Sequence, residues 1–189
     1  VEGNPVNQWF DTKKIFPWRE TALKVFGELI PACGWSFVTT PTLSGEGPWS
    51  AFHFRLERNS DGRRAHVVYS PFRPHQAGNS EYSAGEAFLV QSGWTPQGME
   101  ESEACVWINQ ALDVQLGAFH LEDLRVICHE IGHALHYLAL PHAHHAEPCL
   151  LPSDVMEIPS HLLEVYPKDP SVLARWASRK GPESEIGRA

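Results

Sequence analysis

Apolar residues Val126, Ile127, Ile131, Leu135 and Leu138 recur at the spacing of a helix with one buried face. Glu122 and Asp123 sit just ahead of them, where acids suit a helix N-terminus. A second helix is predicted from Ser153 to Tyr166. Ser153 or Asp154 can cap it, Pro159 is tolerable only in its first turns, and Ile158, Leu162, Leu163 and Val165 give it apolar company. A further helix runs from about Trp18 to Leu29, ended by Ile30-Pro31 and then Gly34. Short alternating runs predict strands at 52–56 and 65–69, joined through Asn59-Ser60-Asp61-Gly62-Arg63 as a hairpin, and at 85–90 and 104–109. Pro74 to Ser83 and Trp94 to Glu103 are turn-rich connections, and 179–189 is polar and expected to fray. No repeat or linker interrupts the chain. The expectation is one domain over 1–189, of α+β class.

The first of these helices carries His129-Glu130-Ile131-Gly132-His133, an HExxH motif. Residues four apart share a helix face, so His129 and His133 can hold one zinc ion from the same side. Glu130 is offset round the helix and can reach a water at the metal instead. The bland alternative is a core helix that happens to carry two histidines. A site that activates water needs a third protein ligand and an open fourth position. The metzincin pattern would need Gly at 136 and His at 139, but the chain has His136 and Ala139. A Glu from the second helix is the other solution. Glu157, His161 and Glu164 fall at i, i+4 and i+7 on one face, and Glu157 is the expected third ligand.

HEIGHALH followed by EIPSHLLEVY resembles the thimet oligopeptidase family, which includes neurolysin, oligopeptidase A and mitochondrial intermediate peptidase. Lys14-Ile15-Phe16-Pro17-Trp18-Arg19, the span Trp49 to Pro74 with its Tyr69-Ser70-Pro71-Phe72-Arg73 turn, and His120-Leu121-Glu122-Asp123-Leu124 resemble other segments of that family. The likeness is patchy but runs from about Ile15 to Trp176, and only the two zinc segments are highly specific. It implies a zincin-like metallopeptidase core, a small twisted sheet packed on the HExxH helix and a second Glu-bearing helix. By the same resemblance His129, His133 and Glu157 ligate one Zn2+ per chain, Glu130 is the general base, and a peptide is the substrate, cut at an internal amide bond. Glu164 matches a family carboxylate near the ligating histidines, where it can accept a ligand's free N–H. His136 matches the last His of the helix motif and can border the metal or be an ordinary helix histidine. His161 stands where the family has Gln. The family's C-terminal Tyr- and His-bearing segment has no counterpart here, so either Tyr137, Tyr166 or His161 supplies the oxyanion donor, or a partner chain does, or the isolated chain is nearly inert, which is the expectation favoured.

The remaining features adjust this picture little. A net charge of −8 over 189 residues argues against nucleic acid or an anionic membrane as partner. Eleven histidines would lessen that negativity only at mildly acid pH. No apolar run is long enough to span a membrane, and the start lacks a signal-peptide pattern. A chain beginning with Val is expected to have lost a leader or been trimmed. Cys33, Cys105, Cys128 and Cys149 form no CxxC pair, and Cys128 reads as a small buried thiol. A reducing compartment, cytoplasmic or mitochondrial matrix, is favoured. His142, His144 and His145 read as a solvated connection between the two zinc helices. Trp9, Trp49 and Trp94 in loop-like positions hint at apolar surface for a partner. The rival to the peptidase is a reduced paralogue serving as a structural subunit, or a half-enzyme completed by another chain.

Overall fold

The computed structural model describes residues 16–45, 50–72, 85–91, 103–111, 118–139 and 152–178. Lys14, Ile15, Trp9, Trp49, Trp94, Cys149, the histidines at 142, 144 and 145, the connections at 74–83 and 94–102, and the tail from 179 lie outside these residues. Within them the chain is α+β, with a mixed sheet and four helices. Their order is α1 (Trp18–Ala32), β1 (Trp35–Phe37), β2 (Thr42–Ser44), β3 (Ala51–Arg58), β4 (Arg64–Phe72), β5 (Gly85–Gln91), β6 (Ala104–Ala111), α2 (Leu121–Ala139), α3 (Ser153–Leu163), a single 3₁₀ turn (Tyr166–Lys168) and α4 (Pro170–Trp176).

The sheet order is β1-β3-β4-β6-β5, with β2 sharing the outer edge of β3. Only β4 and β6 run parallel. Alternation decides which side chains turn inward. Phe52, Phe54 and Leu56 of β3 pair with Tyr69, Val67 and Ala65 of β4, and all six are buried. Val106 and Ile108 continue that face on β6. Between β3 and β4 the turn is closed by Gly62 at φ 72, a left-handed conformation that costs glycine little. Two strands escape sequence reading: β1 and β2 have three residues each, and β2 is exposed throughout.

Helices α1 and α2 cover the inward face. Phe26 of α1 stacks on Phe54 with centroids 4.3 Å apart, and Phe26 also meets the Tyr69 ring. The predicted end of α1 at Leu29 is too early. The helix runs on to Ala32 with Pro31 in its last turn, where Ile30 is still buried in the core. α4 docks back onto α1 through Trp176, whose indole N–H donates to Glu28 at 2.9 Å. α2 lies along β5 and β6, with Leu124, Ile127, Cys128, Ile131, Ala134 and Leu138 buried. Its start is fixed by Asp123, which accepts the His120 backbone N–H at 2.7 Å. Cys33, Cys105 and Cys128 carry free thiols, and burial pushes Cys128 well above its ordinary range. No helix among the described residues is long and apolar enough to cross a membrane.

A buried polar relay anchors α2 to the sheet. The Tyr69 hydroxyl donates to Gln110 Oε1 at 2.8 Å, and Gln110 Nε2 donates to the Asp123 carbonyl at 2.7 Å. Gln110 is fully buried, so its removal strands a phenol and a carbonyl away from water. Gln110→Leu is expected to lower stability by about 1–3 kcal/mol in urea unfolding. An unchanged midpoint would mean the relay contributes nothing.

α3 runs antiparallel to α2. Neither Ser153 nor Asp154 caps it: Pro152 occupies the cap position without a side-chain hydrogen bond, and Ser153 is already helical. Pro159 lies in mid-helix, not in the first turns. The apolar company expected to bury α3 also turns out differently. Leu163 is buried, whereas Val155, Ile158, Leu162 and Val165 are exposed on one stripe.

Candidate metal centre

Gly132 sets the spacing of the two helices. A Cβ built there would overlap Ser160 Cα and lie 2.7 Å from both the Pro159 carbonyl and Ser160 N. Only a hydrogen lets the α3 backbone come this close to α2. That approach delivers Glu157 to the histidines. His129 Nε2 and His133 Nε2 are 3.0 Å apart, and Glu157 Oε2 is 3.3 Å from each.

A tetrahedral ion with bonds of about 2.0–2.2 Å holds its ligand atoms roughly 3.3–3.6 Å apart. The three atoms thus form a triangle close to the size of one coordination face. The protonation pattern suits the same use. The His129 Nδ1–H donates to Glu164 Oε1 at 2.7 Å, which leaves the Nε2 lone pair free. Burial pushes the His133 imidazole below its ordinary range, outweighing the pull of Glu157, so this ring resists protonation. Its Nδ1 is buried without a partner. Ser160, fully buried, shares its hydroxyl proton between the Glu157 carbonyl at 2.7 Å and Oε2 at 3.0 Å. Two imidazoles and a carboxylate in this triangle could hold a divalent cation, and the residues fit zinc.

In a second group, His129, His161 and Glu164, the ligand atoms also lie within 4.8 Å of one another. Its contacts are hydrogen bonds rather than open ligand positions. Glu164 Oε1 accepts from His129 and, at 3.0 Å, from His161 Nδ1, while Oε2 takes Arg125 at 2.8 Å. Burial acts to raise the Glu164 carboxyl, but hydrogen bonds from Arg125, His129 and His161 prevail and hold it at about 2. It is an ionised acceptor at every ordinary pH.

Glu130 packs against the edge strand β5. It is 5 % exposed, and a Cβ on Gly85 of β5 would meet its Oε1 at 2.9 Å. Burial first, then the charges of Glu157 and Glu86, push its carboxyl up to about 7, against one hydrogen bond from the Ala87 backbone. A carboxyl so placed can take and return a proton near neutral pH.

The expected accessory residues divide. Glu164 braces His129. His161 is largely exposed with its ring edge-on to that of His129, centroids 5.3 Å apart. Tyr137 lies near-parallel to His133 at 6.4 Å, and both Tyr137 and Tyr166 pack against the core. His136 joins neither ligand group, and its Nδ1 is buried without a partner. Sequence reasoning missed Gly132, Ser160 and Arg125. Arg125 and Ser160 had a signal in helical spacing: Arg125 precedes His129 by four, and Ser160 follows Glu157 by three.

No protein-family model matches the chain, and a comparison with curated proteins finds no match.

Proposed function

We propose that the chain is a zinc-dependent metalloendopeptidase with a zincin-like core, as the likeness to the thimet oligopeptidase family suggests. In this reading His129, His133 and Glu157 hold one Zn2+ and Glu130 is the general base. The observation that carries it is the triangle of 3.0, 3.3 and 3.3 Å between the three ligand atoms, beside a buried carboxyl pushed up to about 7. Bound zinc supplies Lewis-acid activation of water and of the scissile carbonyl.

The chain's own residues do the rest. Glu130, held by the Ala87 N–H, accepts a proton from the attacking water and passes it to the leaving amine. Glu164 keeps the His129 ring in one tautomer, and Ser160 keeps Glu157 aimed. β5 ends the sheet and has no outer partner strand among the described residues, so an extended peptide can lie along it past Glu130. Oxyanion donors are the weak part. The tyrosine rings serve the core, which leaves His161 nearest the ligands, so slow turnover is expected from the isolated chain.

The stripe of Val155, Ile158, Leu162 and Val165, 41–62 % exposed, supports a second reading: a partner chain covers α3 and completes the site, or the chain is a structural subunit of an assembly. One experiment separates these. Metal analysis of the purified chain is expected to give about one zinc per chain, and a quenched peptide library should be cut in a chelator-sensitive way. Zinc without cleavage would favour the subunit reading. No zinc, in protein prepared without chelator, would end the assignment.

A further inference from the structure

We propose that Arg125 is a positioning residue for metal binding, acting through Glu164 to hold the His129 ring with Nε2 aimed at the ligand triangle. The inference rests on the metal centre proposed above.

Arg125 stands one turn before His129 on the same face of α2. Its guanidinium is held at two edges. Nε donates to Glu122 Oε1 at 2.9 Å, with Nη2 on the same oxygen, and Nη1 donates to Glu164 Oε2 at 2.8 Å. Glu122 thereby fixes the plane of the fork and points Nη1 across to α3. Glu164 divides its oxygens in consequence. Oε2 is taken by Arg125, and Oε1 is left to His129 at 2.7 Å and His161 at 3.0 Å.

This division is what gives Arg125 its role. A carboxylate bound through one oxygen can swing about its terminal torsion, which is broad and roughly two-fold. With Oε2 pinned, that freedom is gone and Oε1 stays on the His129 Nδ1–H. His161 cannot replace Arg125, because it bonds Oε1, as His129 does, and leaves Oε2 unpinned, and its side chain is 62 % exposed. Loss of the brace lets the His129 proton move to Nε2, where it occupies the lone pair the metal needs. Lysine would only partly substitute, since a point charge cannot span Glu122 and Glu164 in one plane.

A merely structural tie between α2 and α3 would alter stability and leave metal affinity and tautomer alone. The test therefore reads both, in the full chain. Zinc affinity is measured by competition with a fluorescent chelator for wild type, Arg125→Gln, Arg125→Lys, Glu164→Gln and the Arg125→Gln/Glu164→Gln double variant. Histidine tautomers of the zinc-free proteins are read by long-range 15N–1H NMR. Arg125→Gln is expected to weaken zinc by about 10–100-fold, the range for such outer partners. Arg125→Lys should recover part of the loss, and the double variant should be no weaker than Glu164→Gln alone, because both act through one carboxylate. His129 should carry its proton on Nδ1 in wild type and be a mixture of the Nδ1–H and Nε2–H tautomers in Arg125→Gln.

Wild-type affinity in Arg125→Gln, or losses that add in the double variant, would overturn the inference. Should Arg125→Gln not fold, a pure Nδ1 tautomer and full affinity in Arg125→Lys would do so as well. A wild type that binds no zinc, or a His133→Ala variant that binds it as wild type does, removes the metal centre itself. Tight binding that His133→Ala abolishes and Arg125→Gln leaves untouched removes only the role of Arg125.

Discussion

Glu130→Gln is expected to keep its zinc and its fold while peptide turnover falls by roughly 10²–10⁴-fold, the contribution of a well-placed general base. The amide preserves size and can still accept the Ala87 N–H, but it cannot take a proton from water. None of the ligand triangle involves Glu130, so metal content should match wild type. His133→Ala is the contrasting variant. It removes one corner of the triangle, and with it zinc and whatever stability zinc gives the α2–α3 pair. Metal analysis, thermal unfolding and a quenched-peptide rate on the same preparations separate base from ligand. Unchanged turnover in Glu130→Gln would place the activity elsewhere.

The pH dependence of the zinc-free protein provides an independent check on Glu130. Its folded carboxyl titrates near 7, above the ordinary 4.5 of the unfolded chain. Between those values the folded state holds the extra proton, so this group's contribution to stability declines as pH rises through the window. Glu130→Gln cannot ionise and should lose that decline, leaving the variant relatively more stable at pH 8 than at pH 4.5. Urea unfolding at both values reads the difference.

What the sequence made legible follows from periodicity. His129 and His133 on one turn, and Glu157, His161 and Glu164 on one face, are consequences of 3.6 residues per turn, and the structure keeps them. The hairpin from β3 to β4 was legible for the same kind of reason, with alternation on both sides and a Gly-bearing turn. β1 and β2 were not, because three residues carry no period and β2 buries none of them. Ile158, Leu162 and Val165 show a different limit. Their apolar character says that they avoid water, not which surface covers them, and α3 and the residues just after it present them outward. Spacing puts Arg125 on the His129 face, but its bond to Glu164 was not legible, because a side-chain hydrogen bond between helices depends on how the helices meet. Gly132, in the middle of the motif, is what makes them meet.

Among the described glycines, Gly132 is where an added methyl would meet the tightest contact, and that contact is backbone. Alanine favours a helix over glycine by about 1 kcal/mol, so on propensity alone the change would stabilise α2. Here the new Cβ meets backbone, not the end of a flexible side chain, and Ser160 cannot yield without moving α3. Overpacking of this kind costs about 1–3 kcal/mol and should outweigh the propensity gain. The larger effect is on the metal. Ser160 braces Glu157, so pushing α3 outward withdraws Oε2 from the two Nε2 atoms and opens the triangle. Zinc affinity is expected to fall by at least about 10-fold, as for loss of an outer partner. Gly27→Ala supplies the control with the opposite sign. Gly27 lies exposed in α1, and an added methyl there would meet nothing within 4 Å, so the same substitution should raise stability by up to about 1 kcal/mol. Urea midpoints and chelator competition on both variants decide the matter. A Gly132→Ala protein as stable and as zinc-avid as wild type would show that the closeness of α2 and α3 at Ser160 is not what holds Glu157 in place.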